Sequence, residues 1–213
     1  DAVRAMRRAG LRVERWSTRG VDSVLENLER AGAVLGVPDR GAEVARATRG
    51  RVETVQEAVS GRALARCALF FGTDTAFVAG RGSFAGELLE RAGGENVAGK
   101  DSGAWPMLNE EHLLAWNPEV IILALDDEAG ALEAARETVR QWTSDLLWGK
   151  VTAVREGRVA AVTGSLLMIP GPRIGRAAEA LAAILHPGVC PGPVPTETHV
   201  DLFSSRTTGK IAP

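Results

Sequence analysis

Little in this 213-residue sequence calls for nucleic acid, metal or a bilayer. Lysine and arginine number 25 against 27 aspartates and glutamates, a formal net charge of −2. That balance gives no basis for expecting nucleic acid or an anionic membrane surface. There are two cysteines, Cys67 and Cys190, and no Cys-x-x-Cys pair or His/Cys cluster of zinc spacing. The three histidines, His112, His186 and His199, stand far apart, which argues against a metal site built from several of them. No apolar run approaches the roughly 20 residues that span a bilayer. Internal repeats are lacking, as is any low-complexity block before the C-terminal tail. Cys67 opens an apolar run and reads as a small core residue; nothing in the sequence supports pairing it with Cys190.

What is present is an ordinary globular composition, 45 % hydrophobic and 24 % charged, in a length that suits one or two domains. Asp1 falls inside a helical pattern (DAVRAMRRAG) that stops at Gly10, so the chain is expected to be a fragment or a trimmed product, with any export signal out of view. Leu11 to Trp16 alternates and predicts a strand. Gly20 to Gly36 has apolar residues Val21, Val24, Leu25, Leu28 and Ala31 on one helical face. Pro38 then starts a long helix at a position that needs no amide hydrogen, running to about Ser60. Its weak apolar content fits a strut between lobes better than a core helix. Strands are predicted at Arg66–Phe71, Val120–Leu125 and Arg158–Val162. Helices at Phe84–Ala92, Asn109–Trp116, Ala129–Trp142 and Ile174–His186 separate or follow them. This alternation predicts an α/β fold, with a parallel or mixed sheet flanked by helices. The segment from Pro187 onward, rich in proline and without periodicity, predicts a disordered tail.

The most particular stretch lies between Leu69 and Val120. A short strand, LFF, enters the loop GTDTAFVAGRGSF. A helix ending in Gly93-Gly94 follows, then a Trp105-Pro106 loop, a helix capped by Asn109, and Asn117-Pro118 before the next strand. Ligands in α/β sheets lie beyond the carboxyl ends of strands, and large, weakly charged rings are held by aromatic walls with few polar groups. Phe71, Phe77 and Trp105 are therefore candidate wall residues, with core packing the competing reading. A catalytic reading finds little support. Ser83 in GRGSFAGE is not a nucleophile elbow, and no Lys-Ser/Thr follows the glycines to make a phosphate loop. Asp74, Asp126 and Asp127 sit at strand ends without a histidine or metal-ligand partner in sequence. A small α/β enzyme is the third-ranked reading.

These motifs together resemble the helical-backbone periplasmic substrate-binding proteins of ABC importers, which serve cobalamin, haem and iron-siderophore uptake. The residues that carry the likeness are Phe71-Gly72, Phe77 to Gly80, Gly93 to Asn96, Trp105 to Leu114, Asn117 to Ile121, Gly171 to Ile174 and His186-Pro187, in the order of the cobalamin-binding branch. The resemblance implies a two-lobed receptor bridged by the long helix, with the N-terminal lobe largely missing from this chain. On that comparison residues 1–37 are a remnant of the N-terminal lobe, 38–60 the connecting helix, 61–187 the C-terminal α/β ligand-binding lobe and 188–213 the tail. It implies a non-enzymatic receptor that needs no cofactor. The ligand would be cobalamin or a related corrinoid, the alternatives being a ferric siderophore or haem. Partners would be the permease subunits of an ABC transporter, and the location periplasmic or extracytoplasmic.

The same resemblance places Phe71, Phe77 and Trp105 against the ligand and gives Glu111 a docking role toward permease arginines, with Glu110 as its neighbour if the register slips. A first-turn carboxylate such as Glu111 also simply suits a helix dipole. Arg173 matches a position where relatives meet ligand carboxylates or phosphates, and its plainer reading is a surface or capping arginine. Met168 and Leu166 are either cleft or core residues. Arg81 is either a solvated loop residue or part of an anion site at the following helix.

Overall fold

A computed structural model describes residues 2–74, 77–100, 103–126, 128–189 and 199–203. Asp127, Cys190, most of the tail and the Glu110 side chain lie outside the described residues. So do the predictions that fall on them, including any Cys67–Cys190 pairing.

The chain opens with helix α1 (Ala2–Arg8). Leu11 to Trp16, predicted as a strand, carries no regular structure. Its alternation is real, but among the described residues no neighbouring strand meets it, and an unpaired strand has nothing to hold its backbone groups. Helix α2 (Val21–Val34) and helix α3 (Pro38–Val59) form a hairpin. Their crossing is close because two glycines face each other: a Cβ on Gly32 would lie 2.6 Å from the Gly41 Cα. At 22 residues α3 is about 33 Å long, from its 1.5 Å rise per residue. Its composition suggests a strut rather than a core helix, yet one face of it is buried. Ala45, Thr48, Val52, Val55 and Val59 form a buried stripe, because three- and four-residue spacing puts them on one face.

The sheet is built from β1 (Ala65–Phe71), β2 (Phe77–Val78), β3 (Gly94–Asn96), β4 (Val120–Leu125), β5 (Val159–Thr163) and β6 (His199–Asp201). Its order is β2-β1-β4-β5-β6, with β3 also paired to β1. Strands β1, β4 and β5 run parallel, with Leu69 opposite Ile122 and Ile122 opposite Ala160. All six residues of β4 are buried, as expected of a central parallel strand covered on both faces. The pleat sorts the core into two layers. Cys67, Leu69 and Ile122 pack on the side of α2, α3, helix α4 (Phe84–Arg91) and helix α9 (Ile174–Leu185). Phe70, Ile121 and Leu123 pack on the other side with helix α5 (Glu110–Trp116), helix α6 (Ala131–Ser144) and the single turn α7 (Thr152–Arg155). A further single turn, α8 (Gly164–Leu167), follows β5 directly.

Cys67 is fully buried. Burial first, and then the nearby Glu90, Glu95 and Glu119 carboxylates, push its thiol well above the ordinary range, so it stays protonated and inert. Among the described residues of the tail, a short segment departs from the expected disorder. His199–Asp201 adds an antiparallel edge to β5, and Val200 and Leu202 are buried. Proline-rich composition upstream hides this short apolar alternation from a periodicity argument. Among the described residues, no helix is long and apolar enough to cross a membrane.

Candidate functional site

The site grows from the carboxyl end of β1. Phe71 ends that strand opposite Phe77 in the antiparallel β1–β2 register. Gly72 turns the chain at positive φ (77°), and its amide donates to the Ala124 carbonyl at 2.9 Å. After β2, the backbone is pinned from two sides. The buried Asn96 amide donates to the Ala79 carbonyl at 2.9 Å. Ser83, which caps α4, donates to the Gly80 carbonyl at 2.9 Å and accepts from the Gly86 amide at 3.0 Å.

The Trp-Pro loop docks onto this pinned segment. The Val78 amide donates to the Pro106 carbonyl (3.2 Å), the Gly80 amide donates to the Ala104 carbonyl (3.0 Å), and Phe77 forms a bridge with Met107. Gly80 makes the approach feasible, since a Cβ there would lie 2.5 Å from both the Gly103 carbonyl oxygen and the Pro106 Cδ. Residues 104–107 thus extend the sheet edge, and the Trp105 ring meets the Phe71 ring edge to face, with centroids 5.0 Å apart. Phe71 is half-buried, while Phe77 (46 %), Trp105 (47 %) and Met107 (65 %) are exposed. Aromatic rings held out from a rigid backbone offer contact area at low entropic cost.

Phe71 also lines an open hollow of about 600 Å³ at the carboxyl ends of β1 and β4. Gly72, Asp74, Leu125, Asp126 and Met168 share its wall. Glu128 adds a third carboxylate, and among the described residues no lysine or arginine lines it. Phe71, Phe77 and Trp105, the three candidate wall residues, meet at this sheet edge. Met107 joins them, and its only signal in the sequence is its place two residues after Trp105. Of the two residues weighed for the cleft, Met168 lines the hollow and Leu166 is buried.

The remaining candidates lie elsewhere. Arg173 lines a different hollow, between α3 and α9. Arg81 is exposed. Glu111 is exposed in the first turn of α5, whose start is fixed by the Asn109 side chain accepting from the His112 amide at 2.7 Å. Among the described residues, no group of three or more His, Cys, Asp or Glu is placed to hold a metal ion.

A family model described as periplasmic binding protein matches residues 11–166. The chain belongs to this family. Among its relatives, the cobalamin-binding protein of Halobacterium salinarum is 28 % identical over 192 residues, which cover 86 % of this chain. The chain spans 50 % of that relative's length. A periplasmic heme binding protein from Pseudomonas aeruginosa is 26 % identical with a TM-score of 0.74, over 91 % of this chain and 70 % of that one. An ABC transporter substrate-binding protein from Listeria monocytogenes superposes with a TM-score of 0.76 at 18 % identity, over 86 % of this chain and 71 % of that one, and so shares the fold. The aromatic edge and the hollow are both built from elements that follow α3 in the chain.

Proposed function

We propose that this chain carries the ligand-facing α/β lobe of an ABC importer's solute-binding component, and that its ligand is cobalamin or a related corrinoid. The observation that carries this reading is the ring edge. Phe77, Trp105 and Met107 are held out on a hydrogen-bonded backbone beside a hollow of about 600 Å³ at the strand ends. A broad, weakly charged macrocycle gains most from such a wall. On this reading residues 38–60 are the connecting helix and 61–187 the binding lobe, with residues 1–37 belonging to a facing lobe. Closure of two lobes would bury the ligand, and the packed α3 would limit the swing. Binding would involve no covalent step, and the protein would work on the extracytoplasmic side of the membrane.

A second reading, haem or a ferric siderophore, has the Pseudomonas aeruginosa relative in its favour. Against it stand the Asp126 and Glu128 carboxylates, which line the hollow together with Asp74 and would repel an anionic chelate. Titration of cyanocobalamin, haemin and ferric hydroxamates into the protein, with a facing lobe supplied, separates the two. Saturable cyanocobalamin binding is expected, and Phe77→Ala and Trp105→Ala should each weaken it by about 1 kcal/mol or more. Haemin or siderophore binding without corrinoid binding would replace the first reading by the second.

Glu111 is proposed as the permease-docking carboxylate, acting on encounter and register more than on affinity. Glu111→Ala should keep ligand binding and lose stimulation of the transporter. Normal uptake by that variant would remove the assignment.

A further inference from the structure

One segment carries a charge that the chain-wide balance conceals. The first twenty residues hold six arginines, Arg4, Arg7, Arg8, Arg12, Arg15 and Arg19, against Asp1 and Glu14. That leaves 19 of the chain's 25 basic side chains and 25 of its 27 acidic ones to the rest. All six arginines are exposed. On α1, Arg4, Arg7 and Arg8 share one face by their three- and four-residue spacing, and Ala2, Ala5 and Met6 lie on the other side.

Little within the chain neutralises this set. Among the described residues, Arg12 alone of the six has an ion pair, with Glu14 at 3.2 Å. Arg7 donates to the Val13 carbonyl at 3.2 Å, an uncharged acceptor. That bond, the Gly10 turn at positive φ (80°) and the Leu11 amide donating to the Met6 carbonyl at 3.1 Å hold the following segment to the end of α1. Arg7 and Arg8 suit the carboxyl end of a helix dipole. Arg4 lies in the first turn, and Arg12, Arg15 and Arg19 lie outside any helix, so the dipole does not account for the set. A basic segment on an acidic body orients a protein in the field of an anionic surface.

We propose that residues 2–19 adsorb on an anionic phospholipid surface, with the arginine face of α1 turned toward the headgroup phosphates. The charges are spread from Arg4 to Arg19, which suits an extended array of phosphates better than a compact ligand. Guanidinium forks engage phosphate oxygens bidentately. The acidic remainder of the chain is repelled by the same surface, so the contact is confined to this segment and fixes which side of the protein faces the membrane. The contact is electrostatic, because Ala2, Ala5 and Met6 lie on the side of α1 away from the headgroups. The choice of lipid over other polyanions rests on the receptor reading above, under which the protein works beside a membrane.

The test is co-sedimentation of the whole chain with phosphatidylcholine vesicles, with and without phosphatidylglycerol, at low ionic strength and with no cobalamin or chelate added. Binding is expected only to the vesicles that contain phosphatidylglycerol, and added salt should release it, because exposed charges are screened. Arg4→Gln and Arg8→Gln should each weaken it by roughly fivefold, the effect of one basic residue near such a surface. Arg4→Lys keeps the charge and should keep most of the binding. Arg140→Gln removes an exposed arginine on α6 and should leave it unchanged. Since no receptor ligand is present, failure here is separable from failure of the cyanocobalamin titration. Polyglutamate is titrated in parallel as an acidic polypeptide. Three results would overturn the proposal: equal binding to both kinds of vesicle, binding that the α1 variants do not alter while circular dichroism shows them folded, or binding to polyglutamate with none to vesicles, which would assign the segment to an acidic protein face.

Discussion

The Phe71 and Trp105 rings meet edge to face, with centroids 5.0 Å apart and planes inclined by 73°. One residue ends a central strand and the other rides a loop docked through Gly80, so the contact couples the sheet to the exposed edge. An edge-to-face pair contributes about 0.5–1.5 kcal/mol beyond its area burial. A double-mutant cycle with Phe71→Leu and Trp105→Leu, read by urea unfolding, should return a coupling in that range. Additive single effects would mean that the loop is held by its backbone hydrogen bonds alone.

Gly32 and Gly41 set the α2–α3 crossing. Gly32→Ala drives a Cβ to 2.6 Å from the Gly41 Cα, a backbone contact that no rotamer change relieves. A loss of about 1–3 kcal/mol is expected, the usual scale of overpacking. Gly50 supplies the contrast on the same helix, because a Cβ there meets no atom within 4 Å. Gly50→Ala should stabilise by about 0.5–1 kcal/mol through helix propensity. Opposite shifts in the urea midpoint check both statements, and equal shifts would contradict them.

Glu87 on α4 holds the start of α2 from outside that helix. Its Oε2 accepts from the Val21 amide at 3.0 Å, while its Oε1 accepts from Arg91, which also reaches Asp22 at 2.9 Å. Gly20, the residue before α2, supplies no side-chain cap of its own. Glu87→Ala should therefore cost about 1–2 kcal/mol, as for loss of a cap. Asp22→Ala, which breaks the solvent-facing ion pairs of Asp22 with Arg91 and Arg49, should cost less than about 1 kcal/mol. Chemical denaturation of the two variants should rank them in that order.

Asp145 gives an acid-sensitive contact. Its Oδ1 accepts from the Trp148 amide at 2.9 Å and the Leu147 amide at 2.8 Å, and these bonds hold its carboxyl below the ordinary range. Because the folded value is depressed, the stabilisation is present above the unfolded pKa and is lost as pH falls through the folded one. Trp148 stacks on Trp142 with ring centroids 4.0 Å apart, so the loss should register in near-ultraviolet circular dichroism. Asp145→Asn keeps an acceptor that does not titrate, and should flatten this acid transition. An unchanged transition in that variant would assign it to other carboxylates.

Strand β4 was legible to the residue, Val120–Leu125, because a central parallel strand is uniformly apolar. The long helix was legible from Pro38 and its spacing. Its packing was not, because a few valines and alanines can form a buried stripe that mean composition dilutes. Leu11 to Trp16 misled in the other direction: alternation is necessary for a strand but supplies no partner. Strand β6 escaped notice because three residues carry too short a pattern to separate from a proline-rich surround.

The sequence alone determined the family, the alternation of strands and helices, and the aromatic residues that crowd one end of the sheet. Local periodicity and motif order carry that information, since each depends on neighbours along the chain. Which rings share an edge, which carboxylates line the hollow beside them, and which hollow Arg173 lines were decided only by the tertiary structure. Those pairings join residues from separate segments, and they rest on strand register and on glycine contacts between backbones that no spacing within a single segment encodes.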